Sequence, residues 1–127
     1  KFKLEILGRI VSTAVQGCEP DYMGLGPIGA SRKALDRAKL SSEDIDIVEL
    51  NEAFASQCLY CQRELKIPEE RFNVNGGAIA IGHPLGARGA RLPVSLIHEM
   101  NRRNSKLGLA TMCVGFGQGA AMAFSRE

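Results

Sequence analysis

Between Asn75 and Arg91 the sequence reads NGGAIAIGHPLGARGAR, with Gly76, Gly77, Gly82, Gly86 and Gly89 set around His83. Glycine loses more conformational freedom on ordering than any other residue, so a run this rich in it disfavours a long regular helix or strand. The stretch therefore divides the chain, and the regular elements are expected on either side. It also holds one of only two histidines, placed directly before a proline. A packed core does not call for an imidazole there, and neither does a flexible linker.

The flanking segments alternate between two periodicities. EILGRIVSTAV, Glu5 to Val15, is apolar and β-branched in places and predicts a strand. QGCEPDYMGLGPIG predicts a loop, after which Ser31 can cap a short helix over RKALDRAKL. DIDIVEL alternates Ile45 and Ile47 with acids and predicts a second strand. In NEAFASQCLYCQRELKI, Phe54, Cys58, Cys61 and Leu65 fall on one stripe of a helix, with Asn51 suited to its N-cap and Glu52 to its first turn. A further helix from about Gly86 to Arg103 carries Leu92, Leu96 and Met100 on one face. Pro93 inside it removes one hydrogen bond and predicts an irregular first part. KLGLATMCV and GAAMAFSR are two closing strands around the turn GFGQG. Together these predict one α/β domain over residues 1–127 with a mixed sheet. In open sheets of this kind chemistry gathers at the carboxyl ends of strands. Asn51 and Cys113 both fall at strand ends.

Composition removes several classes of function. Charged residues make up 24% of the chain and the formal net charge is +2, with basic and acidic residues interspersed, so no nucleic-acid or polybasic membrane surface is indicated. No apolar run approaches the roughly 18 residues of a membrane span. Cys18, Cys58, Cys61 and Cys113 carry no secretory context and are expected as reduced thiols. Two G-x-G-x-x-G matches, GLGPIG from Gly24 and GFGQGA from Gly115, lack the strand before or the βαβ unit after that a dinucleotide site needs. The 75–91 loop lacks the Gly-Lys-Ser/Thr of a phosphate-binding P-loop. CLYC lies on an apolar stripe and is read as core packing, and His98 as a solvated helix residue.

Four stretches, in order, carry a resemblance: MGLGP from Met23, NEAF from Asn51, GGAIAIGHPLGARGAR from Gly76 and CVGFGQG from Cys113. Together they resemble the C-terminal half of a thiolase, and the likeness runs from GRIVSTAVQG to the last strand. Ketoacyl synthases, which are related, usually carry two histidines in place of this Asn, His and Cys set. The resemblance implies a thiolase-like half of βαβαβαββ type, a mixed β-sheet with helices on both faces. It also implies that the nucleophile-bearing N-terminal domain is absent from these residues. ATMCVGFGQG is more similar to degradative 3-ketoacyl-CoA thiolases than to biosynthetic acetoacetyl-CoA thiolases.

The same resemblance implies roles for particular residues. Cys113 matches the cysteine that moves the α-carbon proton of acetyl-CoA. His83 matches the histidine that helps form the nucleophilic thiolate and donates a hydrogen bond to the thioester oxygen. Asn51 matches the asparagine that holds a water as the other donor, and Gly115 a glycine whose N–H serves a second oxyanion hole. Met23 and Phe54 match residues lining the acyl pocket. Three positions depart from the pattern: Arg88, where small Ser or Thr is common, Pro93, and Phe116, which could narrow the site. CoA and acyl-CoA are implied as substrates, with no further cofactor or metal. The implied assembly is a homodimer or homotetramer in the cytoplasm or in a mitochondrial or peroxisomal matrix, not secreted. The chain alone is expected to be inactive. A non-catalytic acyl-CoA or lipid-binding module of the same fold is the competing expectation.

Overall fold

The structure, a computed structural model, describes residues 2–126. Its elements are β1 (Arg9–Gly17), α1 (Gly26–Ala38), β2 (Ile47–Leu50), α2 (Ala55–Glu64), α3 (Ala78–Ile81), α4 (Arg88–Arg103), β3 (Leu107–Val114) and β4 (Gln118–Ser125). The sheet order is β1-β4-β3-β2. Only the turn Gly115–Gly117 joins β3 to β4, so they run antiparallel, as do β4 and β1. The return from β2 to β3 passes through three helices, which is long enough to bring the strands in parallel. The sheet is mixed, as the sequence predicts. Between α2 and α4, the strand that a βαβαβαββ pattern calls for is reduced to one parallel bridge, Val48 with Phe72.

Strand alternation sorts the core into two layers. Val48 and Leu50 face one side with Leu109, Ala121 and Ala123, packing under α1 (Ala30, Ala34, Leu35) and α2 (Cys58, Cys61). Ile47, Ala110 and Phe124 face the other side, under Leu92, Leu96 and Met100 of α4. Helices therefore cover both faces. Burial pushes the Cys58 and Cys61 thiols up to about 12 and about 11, which keeps both protonated inside the core. The C-x-x-C pair is packing material, in keeping with the sequence reading.

Several boundaries differ from the sequence reading. β1 begins at Arg9, and residues 2–8 before it have no regular structure. α1 starts at Gly26, so GPIG forms its first turn and Ser31 is buried inside the helix rather than capping it. Pro27 suits a first turn, where its missing N–H is no loss. Gly26 and Gly119 lie backbone against backbone. A Cβ on Gly26 would come within 2.6 Å of Gly119 N, and one on Gly119 within 2.7 Å of Pro27 N. α2 starts at Ala55 with Phe54 at the cap position, so Asn51 is not its N-cap and Phe54, 60% exposed, leaves the core stripe. α4 runs unbroken through Pro93. Gly89, whose carbonyl loses its partner there, is exposed to solvent.

One buried charge stands out in this core. Glu49 on β2 is buried, and its Oε1 has no hydrogen-bond partner among the described residues. Burial pushes its carboxyl up to about 7, opposed by the charge of Arg91 and reinforced by Glu52 and Glu99. The folded chain therefore keeps this proton in a pH range where the unfolded chain has released it. Stability attributable to Glu49 falls as pH rises from the ordinary carboxylate range to about 7, then levels off. Glu49→Gln is expected to flatten that slope, which urea midpoints measured across the interval will show.

Candidate active site

Because β2 and β3 are parallel, their carboxyl ends meet at the same edge of the domain. Asn51 follows β2 directly and is fully buried, its backbone N–H donating to the Thr111 carbonyl at 3.0 Å. Cys113 occupies the penultimate position of β3 and is 7% exposed.

The glycine loop is brought to this edge by Asn73. Its amide works as a substitute strand partner: Oδ1 accepts from the Leu50 N–H at 2.8 Å, and Nδ2 donates to the Leu50 carbonyl at 2.9 Å. Asn73 has a φ of 43°, a left-handed conformation that asparagine tolerates better than most residues. The same Nδ2 donates to Glu52 Oε1 at 2.9 Å, and Glu52 Oε2 accepts from the Ile79 N–H at 2.9 Å in the first turn of α3. Gly77 makes room for this carboxylate, since a Cβ there would lie 2.7 Å from both of its oxygens. Glu52 thus meets the N-terminal turn of α3 rather than that of α2, the helix assigned to it from sequence. After α3 the chain turns at Gly82, with a φ of 90°, and delivers His83.

His83 Nε2 lies 3.3 Å from Asn51 Nδ2 and 2.9 Å from Arg88 Nη1. A guanidinium can only donate, so the Arg88 contact calls for the tautomer in which Nε2 presents its lone pair. Nδ1 of the same ring is buried and has no partner among the described residues. Burial lowers the affinity of His83 for a second proton, and the charges of Arg88 and Arg91 lower it further. Burial raises the Cys113 thiol above the ordinary thiol value, while Arg88 pulls it down.

A cleft of about 520 Å³ opens here, walled by Met23, Phe54, His83, Arg88, Cys113 and Gly115. Five of the six residues singled out from sequence line it, and the sixth, Asn51, stands behind His83 in hydrogen-bonding contact. Phe116 does not narrow the cleft. It sits at the tip of the β3–β4 turn with a φ of 62° and is 94% exposed. Arg88 was visible in the sequence only as a departure from a pattern. Asn73 carried no signal, because it lies in an unpatterned connector. Among the described residues no cluster of His, Cys, Asp or Glu could hold a metal ion, and no helix is long and apolar enough to cross a membrane.

The fold and the grouping of Asn51, His83 and Cys113 at one sheet end can now be set beside known proteins. A family model for the thiolase C-terminal domain matches residues 4–126, and the chain belongs to that family. It is similar to a 3-ketoacyl-CoA thiolase of Aliivibrio salmonicida (strain LFI1238), 55% identical over 126 residues that span 97% of this chain and 33% of the relative. It is also similar to an acetyl-CoA acetyltransferase of Pseudomonas aeruginosa, 54% identical over 124 residues that span 98% of this chain and 32% of the relative. Human mitochondrial 3-ketoacyl-CoA thiolase superposes with a TM-score of 0.95 at 47% identity, over 97% of this chain and 31% of that one. The Bacillus anthracis acetyl-CoA acetyltransferase gives the same TM-score and identity, over 98% and 32%. The chain spans about a third of the length of the curated relatives it matches.

The Asn73 clamp has a measurable consequence. Asn73→Ala leaves the N–H and C=O of Leu50 unpaired in a buried setting, at about 1–3 kcal/mol per group. A loss of about 3 kcal/mol in unfolding free energy is expected by urea denaturation, accompanied by faster amide exchange at Leu50 and Ile79.

Proposed function

We propose that this chain supplies the proton-handling half of a 3-ketoacyl-CoA thiolase, which transfers an acyl group to CoA with release of acetyl-CoA. The observation that carries the reading is that His83, Cys113 and Gly115 wall one cleft, with Asn51 Nδ2 3.3 Å from His83 Nε2. None of the four cysteines sits in the nucleophile motif of the family. The acyl-accepting cysteine is therefore assigned to the remainder of a protein about three times as long, in line with the share of the relatives that this chain spans.

The roles follow from the chemistry of each group. His83 lines the cleft, and its imidazole is suited to take the proton of an incoming thiol as Arg88 gives up its contact with Nε2. Cys113 is a protonated thiol at rest, because burial raises it. It can give that proton to the α-carbon of the departing acetyl thioester and take it back in the reverse direction. Gly115, at an open position on the cleft wall, can offer its N–H to a developing oxyanion without a side chain in the way. Asn51 Oδ1 is buried with no partner among the described residues, which suits an amide that also holds a water. Met23 and Phe54 would border the acyl chain. Degradation of fatty acyl chains is the direction favoured, through the 3-ketoacyl-CoA relatives and the residues around Cys113.

The test uses the full-length protein and acetoacetyl-CoA or a longer 3-ketoacyl-CoA. His83→Ala and Cys113→Ala are each expected to lower kcat roughly 10²- to 10⁴-fold. The isolated 127-residue chain should show no thiolysis. Normal turnover by that chain alone would sink the reading. So would tight acyl-CoA binding by the full-length protein with no turnover, which marks a carrier instead.

A further inference from the structure

We propose that Glu49 is a positioning residue of this site, acting on the imidazole of His83 through Arg91. The inference rests on the thiolase reading above and leaves every role assigned there in place. Strand alternation turns Ile47 and Glu49 of β2, and Asn51 after them, toward α4. α4 starts at the cleft with Arg88 and runs back over β2, its Leu92, Leu96 and Met100 packing with Ile47. Arg91 lies one turn on from Arg88, about 4.5 Å along the helix, and Glu49 lies two residues back from Asn51, about 6.6 Å along the strand. Arg91 and Glu49 therefore form the next rung beneath Arg88, His83 and Asn51.

Two orphaned atoms mark this rung. Glu49 Oε1 and Arg91 Nε are both buried, and neither has a hydrogen-bond partner among the described residues. One is an acceptor and the other can only donate, so each supplies what the other lacks. The Arg91 charge also bears in two directions, holding the Glu49 carboxyl down against burial and lowering the affinity of His83 for a proton. The charges that bear on His83 are those of Arg88 and Arg91, so Glu49 reaches it by offsetting Arg91.

The pair has two charge states near neutral pH. Burial pushes the Glu49 carboxyl up to about 7. Below that pH Glu49 is neutral and the Arg91 charge bears on His83 in full. Above it the carboxylate offsets that charge, and His83 becomes a stronger base toward an incoming thiol. The charged groups acting on Glu49 are Arg91 and Glu99 of α4 and Glu52 of the segment after β2, while β3 beside it carries only the Cys113 thiol. Glu99 is held by Arg102 and Arg103, and Glu52 by Asn73 and α3. The groups facing His83 are Arg88 and Arg91 of α4, Cys113 of β3 and Asp21 of the segment before α1.

The experiment measures kcat/KM for acetoacetyl-CoA thiolysis by the full-length protein at pH 6 and pH 8. It compares wild type, Glu49→Gln, Glu49→Asp, Arg91→Met and the double variant Glu49→Gln with Arg91→Met. Glu49→Gln is expected to stay within about 1.5-fold of wild type at pH 6 and to fall roughly three- to tenfold below it at pH 8, with Glu49→Asp recovering part of the difference. Adding Glu49→Gln to Arg91→Met should change neither value. Equal loss at both pH values would overturn the proposal, because it marks a structural role, and so would no loss at either. A loss at pH 8 that persists without Arg91 would overturn the route through Arg91. The comparison of Glu49→Gln with wild type decides the matter by itself should Arg91→Met not fold. Carbethoxylation of His83, followed by peptide mass mapping, reads the same pH dependence without turnover. A wild-type protein that does not cleave acetoacetyl-CoA would thus sink the thiolase reading while the pair is still tested.

Discussion

The site hangs on one side-chain amide. β2 is only four residues long and ends the sheet on its side, so Leu50 would present an unpaired N–H and C=O at the point where Asn51 must be held still. Asn73 answers both groups at once and hands a third contact to Glu52. The carboxylate then fixes the start of α3, which launches the turn to His83. Asn51 and His83 come from segments 32 residues apart, yet their separation is set by a relay of short hydrogen bonds rather than by hydrophobic packing. Hydrogen bonds are directional and packing is not. A distance that matters to chemistry is better set by the former.

Much of the architecture could be read from the sequence, because it rests on local periodicity. The alternation in DIDIVEL, the stripe of α4 and the two closing strands each announce their own conformation and their own buried face. The misreadings share a cause as well. GPIG has the composition of a loop, whereas its helical state depends on two glycine backbones touching across 93 positions, which no local pattern encodes. Asparagine often caps a helix, but at position 51 the sheet claims it first. Glu52 meets the kind of partner its sequence position predicts, a helix N-terminus, but on α3 rather than α2. The candidate site residues were legible as a set through the thiolase resemblance, and the structure places them around one cleft. Asn73 was not legible, since a lone asparagine in a connector looks the same whether it matters or not.

Electrostatics at the cleft run counter to its membership in a nearly neutral chain. Two arginines of α4 bear on His83, while Glu52 is held by Asn73 and α3, and Glu99 by Arg102 and Arg103. The local field is therefore positive where the chain as a whole is balanced. That charge lowers the affinity of His83 for a proton and pulls on the Cys113 thiol against burial, which prevails and leaves the thiol above its ordinary value.

The glycine contact between α1 and β4 has a further consequence. Where helix and strand touch through backbone alone, no side chain lies between them to change rotamer and absorb a shift. Met23 sits in the short turn Pro20–Leu25 that leads directly into that contact, on the wall of the cleft. This wall is thus locked to the sheet and cannot widen by sliding. A lineage adapting such a cleft to longer or bulkier chains would do so on this wall by exchanging the side chain at position 23, whose backbone leads into that contact.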